Sequence, residues 1–127
     1  MLTEEARGRV RLLAEAAQER NAENVVALEV GELTSFADAF LLATAGSDRQ
    51  AHAVADAVVE AARAAGIQVL GVEGYEDGRW ILIDGGEVIV HVFVRDAREH
   101  YDLDRLWGDA PRIALPEPVS ISRGARR

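Results

Sequence analysis

The 127-residue sequence predicts an α/β domain built on a mixed sheet of about five strands flanked by helices. Three observations carry this reading. An apolar segment at residues 40–44 is followed by a helix-period stretch and then by another β-rich segment, the strand–helix–strand order of a parallel crossover. Two further β-rich segments, 80–84 and 88–94, flank Gly85-Gly86 and read as an antiparallel hairpin. The mass of 13.8 kDa leaves room for one core and not for two.

Each element has its own warrant. Thr3 caps a first helix whose opening turn carries Glu4 and Glu5, favourable at the positive end of the helix dipole. Ala6, Val10, Leu13 and Ala17 recur at helical spacing and take it to about Arg20. Asn21 and Asn24 mark a turn, residues 25–30 a short strand, and Gly31 its end. Residues 33–37 connect to the segment 40–44, which is apolar on both faces, as a central strand should be. Ser47 or Asp48 caps the helix 49–65, with an apolar stripe of Ala51, Val54, Ala55, Val58, Ala62 and Ala65, and Gly66 stops it. Residues 67–72 form the next strand, expected to lie parallel to 40–44. A turn at 75–78, the hairpin 80–94, a short helix from about Asp96 and a turn at 102–107 complete the domain. Pro111, Pro116 and Pro118 then break regular structure. The domain is therefore expected to span 1–110, with 111–127 a flexible Pro- and Arg-containing tail.

Composition excludes several function classes. No apolar run approaches the ~18 residues of a membrane-spanning helix, and the acidic N-terminus lacks the pattern of a signal peptide. A cytoplasmic protein without membrane contact is expected. There is no cysteine, which rules out disulfides, thiolate zinc sites and a cysteine nucleophile. The net charge is −8; residues 111–127 hold four Arg against one Glu, so residues 1–110 carry −11. Such a body repels phosphate backbones and attracts basic proteins, so no free nucleic acid is expected as a partner.

Candidate chemistry is sparse. Gly46-Ser47, after a strand and opening a helix, has the placement of a phosphate cradle. Nucleotidyl transfer there would also require an Asp-x-Asp pair on the next strand to hold Mg²⁺. That strand offers only Glu73, and the one Asp-x-Asp, Asp102-Leu103-Asp104, lies in a late turn. His52, His91 and His100 have no metal-site spacing. Ser47, His91 and Asp84 lack the nucleophile elbow of a hydrolase. No catalytic residue, metal ligand or cofactor is assigned. Trp80, Leu82 and Asp84 alternate along one strand and share a face, with Glu73 ending the neighbouring strand. This pattern suits a core Trp near a rim and an interface anchor equally.

Four segments in order carry a resemblance. They are Asp38-Ala39-Phe40-Leu41-Leu42-Ala43-Thr44-Ala45-Gly46-Ser47-Asp48-Arg49-Gln50; Glu73-Gly74 followed by Trp80; Asp84 leading to Val90-His91-Val92-Phe93; and Arg98-Glu99-His100-Tyr101-Asp102-Leu103-Asp104-Arg105-Leu106-Trp107. Over about residues 25–107 the chain resembles the ribosomal silencing factor, or iojap-related, family. Ala39 and Asp104 depart from the family's usual residues. The resemblance implies a non-enzymatic factor that binds the large ribosomal subunit at its ribosomal protein fourteen, blocks joining of the small subunit and lowers translation when nutrients are short. It implies a nucleotidyltransferase-like fold without the catalytic carboxylates. It places the partner-binding face at Glu73, Trp80 and Asp84, to which Leu82 is added from the strand alternation; His91, Arg98 and Tyr101 are possible further contacts, with support of the fold an equal alternative for them. A homodimer of the free protein is also implied. The alternative is a nucleotidyltransferase-like enzyme using Gly46-Ser47 with Glu73 and Asp84.

Overall fold

The computed structural model describes residues 2–115. The chain runs α1 (Glu4–Glu19), β1 (Glu23–Glu29), β2 (Ala39–Ala45), α2 (Asp48–Ala64), β3 (Gly71–Glu73), β4 (Trp80–Asp84), β5 (Val88–Val94), α3 (Arg95–Tyr101), α4 (Leu103–Leu106) and β6 (Arg112–Ile113). The strands form one sheet in the order β3-β4-β5-β2-β1-β6. Among the described residues only β2 and β5 pair in parallel, with Ala39 opposite Val88 through to Ala45 opposite Val94.

Residue chemistry explains this order. All seven residues of β2 are uncharged and buried, which suits the centre of a sheet covered on both faces. β5 is apolar except at His91 and takes the place beside it. On the rear face Leu41, Val90, Val92, Ile81 and Ile83, each at most 2% exposed, meet the buried stripes of α1 and α2. Burying each such side chain is worth about 1.5–3 kcal/mol. Both long helices are capped as expected: Thr3 Oγ1 accepts from the Ala6 N–H at 3.0 Å, and Ser47 Oγ from that of Gln50 at 3.1 Å. The front face is covered in part by α3 and α4. Among the described residues no helix is long and apolar enough to cross a membrane.

Three expectations need correction. The strand after α2 is only Gly71–Glu73, and it lies at the sheet edge instead of beside β2. The β4–β5 hairpin intervenes, because β5 is apolar on both faces whereas β3 is exposed along its length. Among the described residues the sheet has six strands and not about five: Ile113, 4% exposed, pairs opposite Ala27, so β6 extends the fold past residue 110. The rest of the expected tail, 116–127, lies outside the described residues. Finally, the nucleotidyltransferase-like description fails at Gly46-Ser47. The Gly46 N–H donates to Gln50 Oε1 at 2.6 Å, and the Gln50 amide donates in turn to the carbonyls of Arg20 and Asn21. The Arg95 guanidinium crowds the same turn. The backbone donor at Gly46 is thus already taken by a side chain of the chain itself, and the strand leaving α2 carries its single carboxylate, Glu73, to the far edge.

Candidate functional site

The register of β3, β4 and β5 assembles one face from four of the residues singled out by sequence. Trp80 lies opposite Phe93, Leu82 opposite His91 and Asp84 opposite Ile89, while Glu73 lies opposite Leu82. Burial alternates along β4 as a strand requires: Ile81 and Ile83 are in the core, and Trp80, Leu82 and Asp84 are half-exposed. Glu73 is fully on the surface. The face is open and combines apolar surface with two carboxylates.

Trp80 is held on several sides. Its ring stacks on Phe93 with centroids 5.1 Å apart and an interplanar angle of 29°. Tyr101 of α3, itself 49% exposed, lies against it at 4.6 Å. Its Nε1–H donates to Nδ1 of His91 at 3.1 Å. The sequence left a core Trp and a surface anchor as alternatives; the ring is partly both, packed against Phe93, Tyr101 and His91 yet still partly exposed.

The turn between β3 and β4 sets the spacing of Glu73 and Trp80. Gly74 has φ +78°, and a Cβ there would run into the carbonyl oxygen of Trp80. Only glycine fits so close an approach with that backbone. The turn is latched to α2: the Tyr75 hydroxyl donates to Asp56 at 2.9 Å, and a His52 ring nitrogen bonds the Tyr75 carbonyl. The Asp56 acceptor holds the Tyr75 phenol above its usual pKa. At the other end of β4, Asp84 Oδ1 accepts from the Gly86 N–H at 2.9 Å and pins the hairpin turn.

His91 and Arg98 do not join the open face. His91 is 4% exposed, beneath Trp80, with Phe40 edge-on at 5.0 Å. Burial pushes its pKa down to about 4, so the ring is neutral at physiological pH. Arg98 is nearly buried and its donors are used internally. They reach both Asp104 oxygens at 3.0 and 2.8 Å, the Asn24 carbonyl at 2.6 Å and Thr44 Oγ1 at 2.7 Å. The guanidinium holds the Asp104 carboxyl below its usual range. Arg98 therefore ties α3 and α4 to β1 and β2. Tyr101, the third possible further contact, does reach the surface beside Trp80. Sequence reading overlooked Phe40, Phe93 and the His52–Tyr75 latch; for the latch the available signal was a Tyr between two turn glycines, Gly74 and Gly78.

A cleft of about 500 Å³ between β1, α3 and α4 contains none of Glu73, Trp80, Leu82 or Asp84, and Arg98 and Arg95 in it are paired with Asp104 and Glu23. Among the described residues no group of three or more His, Asp or Glu is placed to hold a metal ion. The open face suits a macromolecular surface better than a small ligand.

Comparison with known proteins identifies the family and the fold. The family described as "ribosomal silencing factor during starvation" matches residues 3–127. The chain is 41% identical over 111 residues to the ribosomal silencing factor of Halalkalibacterium halodurans, covering 87% of this chain and 95% of that protein. It is 41% identical over 106 residues to that of Bacillus subtilis, covering 84% and 90%. A crystal structure of a protein from Chromobacterium violaceum superposes with a TM-score of 0.78 at 36% identity, covering 80% of this chain and 84% of that one. The mixed, helix-flanked sheet is thus the ribosomal silencing factor fold, which replaces the nucleotidyltransferase-like expectation. The chain belongs to the ribosomal silencing factor family.

Proposed function

We propose that this silencing factor works by occupancy: the face bearing Glu73, Trp80, Leu82 and Asp84 docks on ribosomal protein fourteen of the large subunit and keeps the small subunit from joining. Membership of the family makes the chain a non-catalytic repressor of translation that acts on the large ribosomal subunit. The observation that carries the docking assignment is the open face itself. A half-exposed Trp on a rigid strand, bordered by two carboxylates, is the anchor-and-rim arrangement of a protein interface. The strongly acidic body draws a basic partner to it. Tyr101 extends the anchor at the α3 edge, while His91 and Arg98 support it from within. In the free protein the same apolar face would serve a homodimer, which the ribosomal partner would displace. The factor would act in the cytoplasm, on subunits not yet engaged in translation.

The test is co-sedimentation with isolated large and small subunits, combined with a subunit-joining assay. Binding should be confined to large subunits, and inhibition should be stoichiometric and indifferent to added nucleotide. Silencing of many subunits per molecule of factor would sink the proposal.

A further inference from the structure

We infer that His91 is a positioning residue for the docking face: buried on the same face of the sheet, it holds the polar edge of the Trp80 indole inward, so that the ring offers apolar surface outward. This rests on the reading of the Trp80 face as the docking face.

The hydrogen bond fixes the tautomer. An indole N–H can only donate, so His91 Nδ1 must be the unprotonated nitrogen and the neutral ring carries its proton on Nε2. That Nε2–H is buried and has no hydrogen-bond partner among the described residues. A buried donor without an acceptor is a folding cost. The other six residues of β5 are apolar, and an apolar residue at 91 would avoid that cost. What the histidine supplies instead is one acceptor, 3.1 Å from the single polar atom of Trp80. Stacking by Phe93 and Tyr101 restrains the plane of the indole but does not choose between its two flipped orientations. The acceptor chooses. His91 is itself held in place, since Phe40 meets it edge-on and Phe93 lies nearly parallel to it at 8°. Trp107 packs edge-on against Phe40 at 5.1 Å, so the arrangement is anchored back to α4. Without the acceptor, the indole N–H would turn to solvent and put a polar edge where the partner needs apolar contact.

The experiment uses the full chain with His91→Leu, His91→Asn and Trp80→Ala. The protein has two Trp, so an amide-type ¹H–¹⁵N spectrum holds two indole signals, which Trp80→Phe assigns. In His91→Leu the Trp80 signal should shift and its exchange with water quicken by roughly tenfold or more, with a thermal midpoint no lower than the parent's. Affinity for large subunits should fall roughly 5- to 30-fold in His91→Leu and return to within about threefold in His91→Asn, whose Oδ1 can accept the same hydrogen bond. Should Leu not be accommodated, His91→Met is the second apolar variant. An unmoved indole signal in the apolar variant overturns the inference, and so does equal loss of affinity in folded Leu and Asn variants. Parental binding by His91→Leu beside weak binding by Trp80→Ala overturns the role of His91 alone. Parental binding by Trp80→Ala overturns the docking face on which that role depends.

Discussion

Trp80 is both an anchor and a packing element, and substitutions at the two tryptophans separate these roles. Losing an interface anchor typically costs ~2–4 kcal/mol, or roughly 30- to 1000-fold in dissociation constant. Trp80→Ala should therefore abolish co-sedimentation with large subunits at parental concentrations. It should also lower stability by about 1–3 kcal/mol in urea unfolding, because the ring stacks on Phe93. Trp107 is the counterpart. It packs edge-on against Phe40, away from β3 and β4, so Trp107→Ala should lower stability and weaken subunit binding far less than Trp80→Ala does. Much of this face was legible beforehand, since period-two alternation alone puts Trp80, Leu82 and Asp84 together. Support of the fold was an open reading of Arg98, but its partners were not legible. On a sequence it is a charge on a short surface helix, but its acceptors at Thr44 and Asn24 lie 54 and 74 residues away. Removing a nearly buried guanidinium that serves three partners should cost about 2–4 kcal/mol. Arg98→Ala should accordingly unfold at lower urea while the Trp80 stack persists in the native state.

Among the elements, the short β3–β4 connection is the most constrained. Gly74→Ala would place a methyl group against the Trp80 carbonyl and force a left-handed backbone on a residue that disfavours it. A loss of about 2–4 kcal/mol is expected in chemical denaturation. Binding should weaken as well, because the turn fixes Glu73 relative to Trp80. The bounds of β4 and β5 were predicted to the residue, because Gly85-Gly86 and the Val-rich run leave little choice. The starts of α1 and α2 follow from Thr3 and Ser47 for the same local reason. Sheet order was not local. That β5 and not β3 pairs with β2 depends on which strand can be buried on both faces, a comparison between distant segments. β6 escaped notice because it has two residues and follows Pro111; its place is set by pairing with β1.

For the whole molecule, buried His91 makes stability depend on pH. Its pKa is about 4 in the fold and near 6.5 in an unfolded chain, so between these values only the unfolded chain binds the proton. Stability from this group is complete above pH 6.5 and falls as the pH drops toward 4, by about 3 kcal/mol at most. The depressed carboxyl of Asp104 adds a further loss as the pH falls through and below the usual carboxylate range. Urea midpoints measured from pH 7 to 4 should decline for the parent, and His91→Leu should flatten that decline. The central position of β2 has another consequence. Its seven residues, Ala-Phe-Leu-Leu-Ala-Thr-Ala, are uncharged and free of Pro and Gly, the composition of an aggregation-prone segment. Its parallel partner β5 begins only at Val88, so a nascent chain makes this segment long before it makes the strand that shields one edge of it. Until then the edge is unpaired, and a growing chain of this factor is a natural client for chaperones that mask apolar strands at the exit of the ribosome.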